Sequence, residues 1–369
     1  MRDRDLSGTA SSDEADRSGA ARLIDDYDGI VCDLDGVVYR GRHAVPYAVE
    51  SLLSALSAGL PVVYATNNAS RTAAQVAAHL DALGLPGPAE RVVTSAQAAA
   101  GLVATRCPVG SRVLAVGGAG VALALEETGL VAVAPAQGGL GEPVVAVVQG
   151  YGAHVAWTDL AEVAYAVQAG ALWVATNIDS TLPTERGLAP GNGTLVAAVR
   201  SAVGVDPVVV GKPETPLYEL SVSVVGTELH RTLAIGDRLD TDIAGANAAG
   251  MDSLFVLGGV HGWMDVARVE PAARPRYAAT DLRSLHCVYT DAVQDPADAS
   301  RWTCGEAAAL VPVTGDLVVA PGGAINDRLR AALRAVWYAR DNCDAAVDPG
   351  RGDGAALMRE LDLAVGLPR

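Results

Sequence analysis

Short apolar runs alternate along most of this chain with longer stretches in which Ala, Leu and Val recur every three or four residues. The first pattern reads as buried strand, the second as helix with one face turned inward. Strands are predicted at 27–32, 61–65, 92–93, 112–116, 144–149, 172–175, 207–210, 233–235 and 253–256. Helices are predicted at 46–58, 70–83, 95–104, from about 215, and at 244–250; Ser70 serves as cap and Gly84 as stop for the second. Such alternation builds a parallel sheet covered by helices, an α/β fold. Residues 176–193 interrupt it. Asn177, Asp179, Pro183, Arg186, Gly187, Pro190 and Gly191 predict a long irregular loop there, and long ordered loops are often functional. From about 288 the pattern changes again, with an Asp/Pro-rich opening, one short strand at 317–320 and helical patterns at 326–340 and 355–363.

At 369 residues the chain is long enough for two or three domains. Ala, Val and Gly dominate, which suits buried parallel strands under Ala-rich helices. A formal net charge of −16 argues against a nucleic-acid partner, which would need a basic face. It leaves room for a small anion, because a local cation or a metal can reverse the field. Cys32, Cys107, Cys287, Cys304 and Cys343 form no C-x-x-C pair, so neither a zinc framework nor a disulfide scaffold is expected, and the odd count fits a reducing cytoplasm. Residues 1–22 read as a disordered polar tail with no signal sequence, and no apolar run is long enough to span a bilayer.

Polar residues close the apolar runs at four places. Asp33 and Asp35 follow the first run, with Gly36 behind them; alone, Asp35-Gly36 would be no more than a turn. Thr66, Asn67 and Asn68 follow the second, Lys212 stands between Gly211 and Pro213, and Asp237, Asp240 and Asp242 follow Gly236. Open α/β sheets bind ligands outside the carboxyl ends of their strands, where these residues are expected. Together they supply a nucleophile, an acid/base, anion donors, a cation and carboxylates for a hard metal such as Mg²⁺. Phosphoryl transfer through an aspartyl phosphate needs that set.

The order D-L-D-G-V-V-Y (33–39), T-N-N (66–68), G-K-P (211–213) and G-D-R-L-D-T-D-I (236–243) resembles the haloacid dehalogenase superfamily. Within it the chain is similar to subfamily IIA, the branch of nitrophenylphosphatases and of phosphoglycolate and glycerol-phosphate phosphatases, over roughly residues 24–285. The resemblance implies a Rossmann-like core at 23–94 and 205–287, and an α/β cap domain at 95–204 inserted between the second and third motifs. Residues 288–369 remain as an α/β extension outside the family pattern. It also implies that Asp33 attacks phosphorus and that Asp35 serves as general acid and then base. Thr66 and Lys212 would hold the phosphoryl oxygens, with Asn67 and Asn68 close by. Asp33, the backbone carbonyl of Asp35 and Asp237 would bind Mg²⁺. Asp242 would steady the metal shell from behind, or act as an acid at the start of the next helix. In the cap, His154 and Arg186 are the substrate-binding candidates. The physics agrees: two carboxylates beside a dianionic phosphate repel unless Mg²⁺ and Lys212 offset them, and the same negative neighbours favour a protonated Asp35. The implied substrate is a small phosphorylated metabolite, glycerol 3-phosphate first, then 2-phosphoglycolate or a sugar phosphate; a phosphomutase would use the same carboxylate pair.

Two other motifs are weaker. Val116-Gly117-Gly118-Ala119-Gly120 follows a strand, but Leu123 stands where a dinucleotide fingerprint needs its third small residue, which leaves a tight turn. Residues 351–356 precede a helix and resemble the pyrophosphate-binding turn of acetyltransferases without evident supporting strands. A degenerate remnant, or a docking or homodimerisation module, is the expectation for this extension.

Overall fold

The structure is a computed structural model that describes residues 21–135, 141–184, 186–343 and 347–366. The expected tail at 1–22 lies, except for Ala21 and Arg22, outside the described residues.

Strands that are apolar on both faces need cover on both, and the central sheet provides it. In spatial order its strands are Tyr277–Ala279, Asp252–Val256, Thr232–Gly236, Gly29–Cys32, Val62–Thr66 and Val92–Thr94, all parallel. Gly29–Cys32, Val62–Thr66 and Thr232–Gly236 are buried at every position. Ile30, Cys32, Leu52, Tyr64 and Leu80 fill one apolar cluster, while Val31, Val63, Ala65, Leu217 and Ala234 fill another, as alternation along a strand requires. The chain starts in the middle at Gly29–Cys32 and winds out through Val62–Thr66 and Val92–Thr94. It then returns on the other side at Thr232–Gly236. Asp33 and Asp237 therefore flank the point where the winding reverses, the crevice in which such sheets bind ligands.

Between the two halves stands a second parallel sheet, ordered Val208–Val209, Leu172–Ala175, Ala146–Gln149, Arg112–Val116 and Val131–Val133. Val208–Val209, grouped with the core from the sequence, pairs with Leu172–Ala175 instead. Helices Trp157–Gln168 and Asn192–Val203 were not predicted. Nor is 176–193 irregular throughout: residues 176–180 carry no regular element, but Thr181–Thr184 pairs antiparallel with Gly187–Pro190. Proline is tolerated there because each strand of an isolated hairpin is an edge. Helix Ala73–Ala82 begins later than predicted, on Thr72, which forms a reciprocal cap with Gln75. Ser70 is spent elsewhere, donating to Asn68 Oδ1.

The chain beyond 288 holds far more strand than predicted. Val293–Gln294, Arg301–Cys304, Ala307–Leu310, Asp316–Val319 and Asp348–Gly352 form a third sheet, packed by helices Ile325–Asn342 and Gly354–Ala364. Its Ala-rich third strand carries little β-propensity, so packing against the long helix, not local preference, makes it a strand. Among the described residues no helix is long and apolar enough to cross a membrane.

The second sheet meets the core through glycine. A Cβ on Gly118 would collide with the backbone of Ser70, and one on Gly120 with the carbonyls of Arg71 and Ala69. The G-G-A-G run is thus a clearance between two backbones. Gly118→Ala should cost about 1–3 kcal/mol through forced separation of the two loops, read as a lowered urea midpoint with an unchanged m-value.

Candidate active site

Three of the four polar strand ends meet at one ammonium. Lys212 Nζ donates to Asp33 Oδ1 at 2.6 Å, to Asp242 Oδ1 at 2.9 Å and to the carbonyl of Ala65 at 2.9 Å. The side chain is only 2% exposed, so its charge is unscreened by water. Burial alone would pull its pKa down, but Asp242 and then Asp33 outweigh that and hold it well above the ordinary lysine value.

Asn67 fixes where that ammonium starts from. Its Oδ1 accepts from the Lys212 N–H at 2.8 Å and its Nδ2 donates to the Lys212 carbonyl at 3.0 Å, so the amide pairs with the lysine peptide as a neighbouring strand would. Gly211 permits this approach, since a Cβ there would strike Asn67 Oδ1 and the Thr176 carbonyl. The sequence puts Asn67 among the phosphate donors; the structure commits its amide to Lys212 and to Asp179 Oδ2. The second sheet supports Asn67 in turn. Asn177 Nδ2 and Ser95 Oγ both donate to its carbonyl, at 2.8 and 2.7 Å, and Asn192 Nδ2 donates to the Asn177 carbonyl at 2.7 Å. Asn177 and Asp179, which the sequence could equally make turn formers, thus tie the second sheet to the core. Thr66 is buried beside them, its Oγ1 accepting from the Asn68 N–H at 3.0 Å, and Asn68 Oδ1 receives Ser70.

Asp237 lies across the crevice from Asp33 and is fully buried. Its Oδ2 accepts from the Val260 N–H at 2.6 Å, while its Oδ1 has no hydrogen-bond partner. Gly36, at φ +99°, and Gly259 both crowd this carboxylate so closely that a Cβ on either would collide with it. Asp242 is more fully engaged, by Lys212 on Oδ1 and by the Arg238 N–H on Oδ2 at 3.1 Å. Arg238 itself grips Asp240 in a two-pronged pair at 2.9 and 3.1 Å.

Carboxylate oxygens of Asp33, Asp237 and Asp242 lie within 4.8 Å of one another. One ammonium cannot neutralise three buried acids. Burial pushes Asp33 well above the ordinary carboxylate range, with Asp242 and Asp237 adding to the rise and Lys212 opposing it. Asp237 is pushed up to about 7, chiefly by burial and then by Asp242. An oxygen-only donor set with an orphaned buried acceptor and surplus negative charge fits a hard divalent cation of the Mg²⁺ type.

Asp35 lies at the exposed mouth. Protein packed on its flanks raises its carboxyl nonetheless, against Arg71, Lys212 and His79, and water at the mouth limits the rise. Of the cap candidates, His154 is exposed in the loop after Ala146–Gln149, and Arg186 is exposed at the turn of the Thr181–Thr184 hairpin. The sequence reading missed Arg71, the largest charge influence on Asp35, and the Gly258–Val260 segment that wraps Asp237. The Gly258-Gly259 pair after a core strand was the available signal for the second.

Residues 30–131 match the family model of the haloacid dehalogenase-like hydrolases, and residues 209–285 match a second, HAD-hydrolase-like model. The chain is 46% identical over 321 residues to D-glycerol 3-phosphate phosphatase of Mycobacterium tuberculosis, covering 86% of this chain and 88% of that protein. It is 38% identical over 234 residues to the 5'-nucleotidase YutF of Bacillus subtilis, covering 63% of this chain and 88% of that one. The crystal structure of glycerol phosphate phosphatase from Mycobacterium tuberculosis in complex with magnesium superposes with a TM-score of 0.77 at 40% identity, covering 93% of this chain and 99% of that one. The p-nitrophenyl phosphatase from Archaeoglobus fulgidus gives 0.65 at 25% identity, covering 71% and 98%.

The ammonium carries a stability consequence. Lys212→Met leaves Asp33 and Asp242 buried without their cation and should cost the metal-free protein about 3–5 kcal/mol, measured by urea unfolding in EDTA.

Proposed function

The chain belongs to the haloacid dehalogenase-like hydrolases, and from that premise we propose that it is a Mg²⁺-dependent phosphatase of small phosphomonoesters, with glycerol 3-phosphate as substrate. The observation that carries the reading is the buried Lys212 ammonium joining Asp33 and Asp242 beside the orphaned oxygen of Asp237.

Asp33 attacks the phosphorus through a carboxylate oxygen, and the bond from phosphorus to the substrate oxygen breaks. Asp35 gives its proton to the departing alkoxide, which leaves as the free alcohol. Water then attacks the phosphorus of the aspartyl phosphate, Asp35 takes a proton from it, and the phosphorus–Asp33 bond breaks to release inorganic phosphate. Lys212 faces the phosphoryl oxygens while keeping hold of Asp33, and the Thr66 hydroxyl lies at the adjacent strand end. Asn67 positions Lys212 through its backbone. Asp33 and Asp237 are the carboxylates for Mg²⁺, together with the Asp35 carbonyl; Asp242, with both oxygens engaged, anchors Lys212 and the Arg238 turn. When bound, Mg²⁺ offsets the charge of the acids and the phosphate and holds a phosphoryl oxygen.

The choice of substrate rests on the 46% identical relative, D-glycerol 3-phosphate phosphatase of Mycobacterium tuberculosis. All five cysteines are unpaired, two of them exposed, which supports a reducing cytoplasmic setting.

Asp33→Asn should abolish phosphate release from glycerol 3-phosphate and from nitrophenyl phosphate while the fold, followed by circular dichroism, persists. EDTA should silence the wild type and added Mg²⁺ restore it. Asp35→Asn should slow alkyl phosphates by about 10²–10⁴-fold, and nitrophenyl phosphate far less because its leaving group needs no proton. Equal losses on both would remove Asp35 from the acid role. In a panel ranked by kcat/KM, glycerol 3-phosphate should lead; a tenfold preference for a nucleotide, about 1.4 kcal/mol in the transition state, would overturn the substrate but not the chemistry.

A further inference from the structure

We infer that the C-terminal extension is a brace for the metal half of the site, and that Val365 is a positioning residue for Mg²⁺ acting through the Gly258–Val260 segment. The inference rests on the proposed Mg²⁺ site.

The segment has two sides. Inward, the Val260 N–H holds Asp237 Oδ2 and Gly259 lies against the carboxylate. Outward, Gly258, at φ +102°, faces the end of the last helix. A Cβ on Gly258 would meet the Val365 side chain at 3.2 Å and Arg40 Nη2 at 3.3 Å. Ala364 and Val365 also line a gap of about 20 Å³ with Gly36, Arg40, Leu257 and Gly258. Val365 therefore stands against the loop that wraps Asp237 and shares a gap with the loop that carries Asp35.

The same extension also fastens the short helix Trp263–Arg268, which comes directly after that segment. Trp263 Nε1 donates to the Pro349 carbonyl at 3.3 Å, Trp337 Nε1 donates to the Val266 carbonyl at 2.9 Å, and Arg268 pairs with Asp348 at 3.0 Å. On the far side of Asp237, Leu239 and Ile243 frame the turn that bears Asp242. They are buried in one cluster with Leu257, Trp263, Leu329, Leu333, Leu357 and Leu361. Both segments that follow Asp237 and approach the site are thus backed by an apolar cluster to which the extension contributes. Packed interiors resist displacement, so the backing sets where the Val260 N–H and the Asp237 oxygens stand.

A charge at position 365 should loosen that backing without touching substrate. In Val365→Asp, calorimetric titration of the metal-free full chain with Mg²⁺ alone should give a Kd raised tenfold or more. Val365→Ala should raise it about threefold, and Val365→Ile should restore the wild-type value. KM for glycerol 3-phosphate at saturating Mg²⁺ should stay within twofold in all three. A Mg²⁺ Kd within twofold of wild type in both Val365→Asp and Val365→Ala overturns the brace, as does a KM that rises while Mg²⁺ affinity holds. Should Val365→Asp fail to fold, Val365→Ala decides alone. Wild-type protein that binds no Mg²⁺ overturns the metal reading itself, which separates the two failures.

Discussion

A single buried charge organises this molecule. Lys212 arrives from the strand that returns out of the second sheet, Asp33 from the first core strand and Asp242 from the turn after the fourth. None of these groups would be stable at its depth alone, since an isolated buried ion costs several kcal/mol or changes protonation. Their positions are mutually dependent. The sheet order that places Gly29–Cys32 beside Thr232–Gly236 brings the acids together, and the Asn67 amide sets the lysine backbone at the height from which the ammonium reaches both. The charge still does not balance, and the orphaned Asp237 oxygen shows where the surplus falls.

Much of this could be read along the chain because local pattern and global fold agree. The strands before Asp33, Thr66 and Asp237 are apolar on both faces, so burial and the strand-end position of the acids follow from composition alone. Asn67 was legible as a site residue, but its hold on the Lys212 backbone was not, because which atoms an amide satisfies depends on a loop 145 residues away. The Thr181–Thr184 hairpin escaped because proline and glycine signal a loop equally well when the pairing partner is itself a loop. In the extension, Ala307–Leu310 becomes a strand only through the sheet and helix packed around it, information that no local window holds. Arg71 went unnoticed for a similar reason: its relation to Asp35 is purely spatial.

Glycine supplies a theme that the motifs conceal. Gly36 and Gly259 give the Asp237 carboxylate its room, Gly211 gives it to Asn67, and Gly118 and Gly120 let two loops touch backbone to backbone. At each place the missing Cβ is the structural fact, and a chain this rich in small residues can bring polar groups closer than side chains would allow.

The contact between the second sheet and Asn67 bears on how far the site extends. Asn177 and Asp179 hold Asn67, and Asn67 holds the Lys212 backbone. Partners 110 to 145 residues apart in sequence thus share one chain of bonds that ends on the ammonium. The second sheet thereby helps to fix the cation that pairs with Asp33, and a change at Asn177 or Asp179 is felt at a charge neither of them carries.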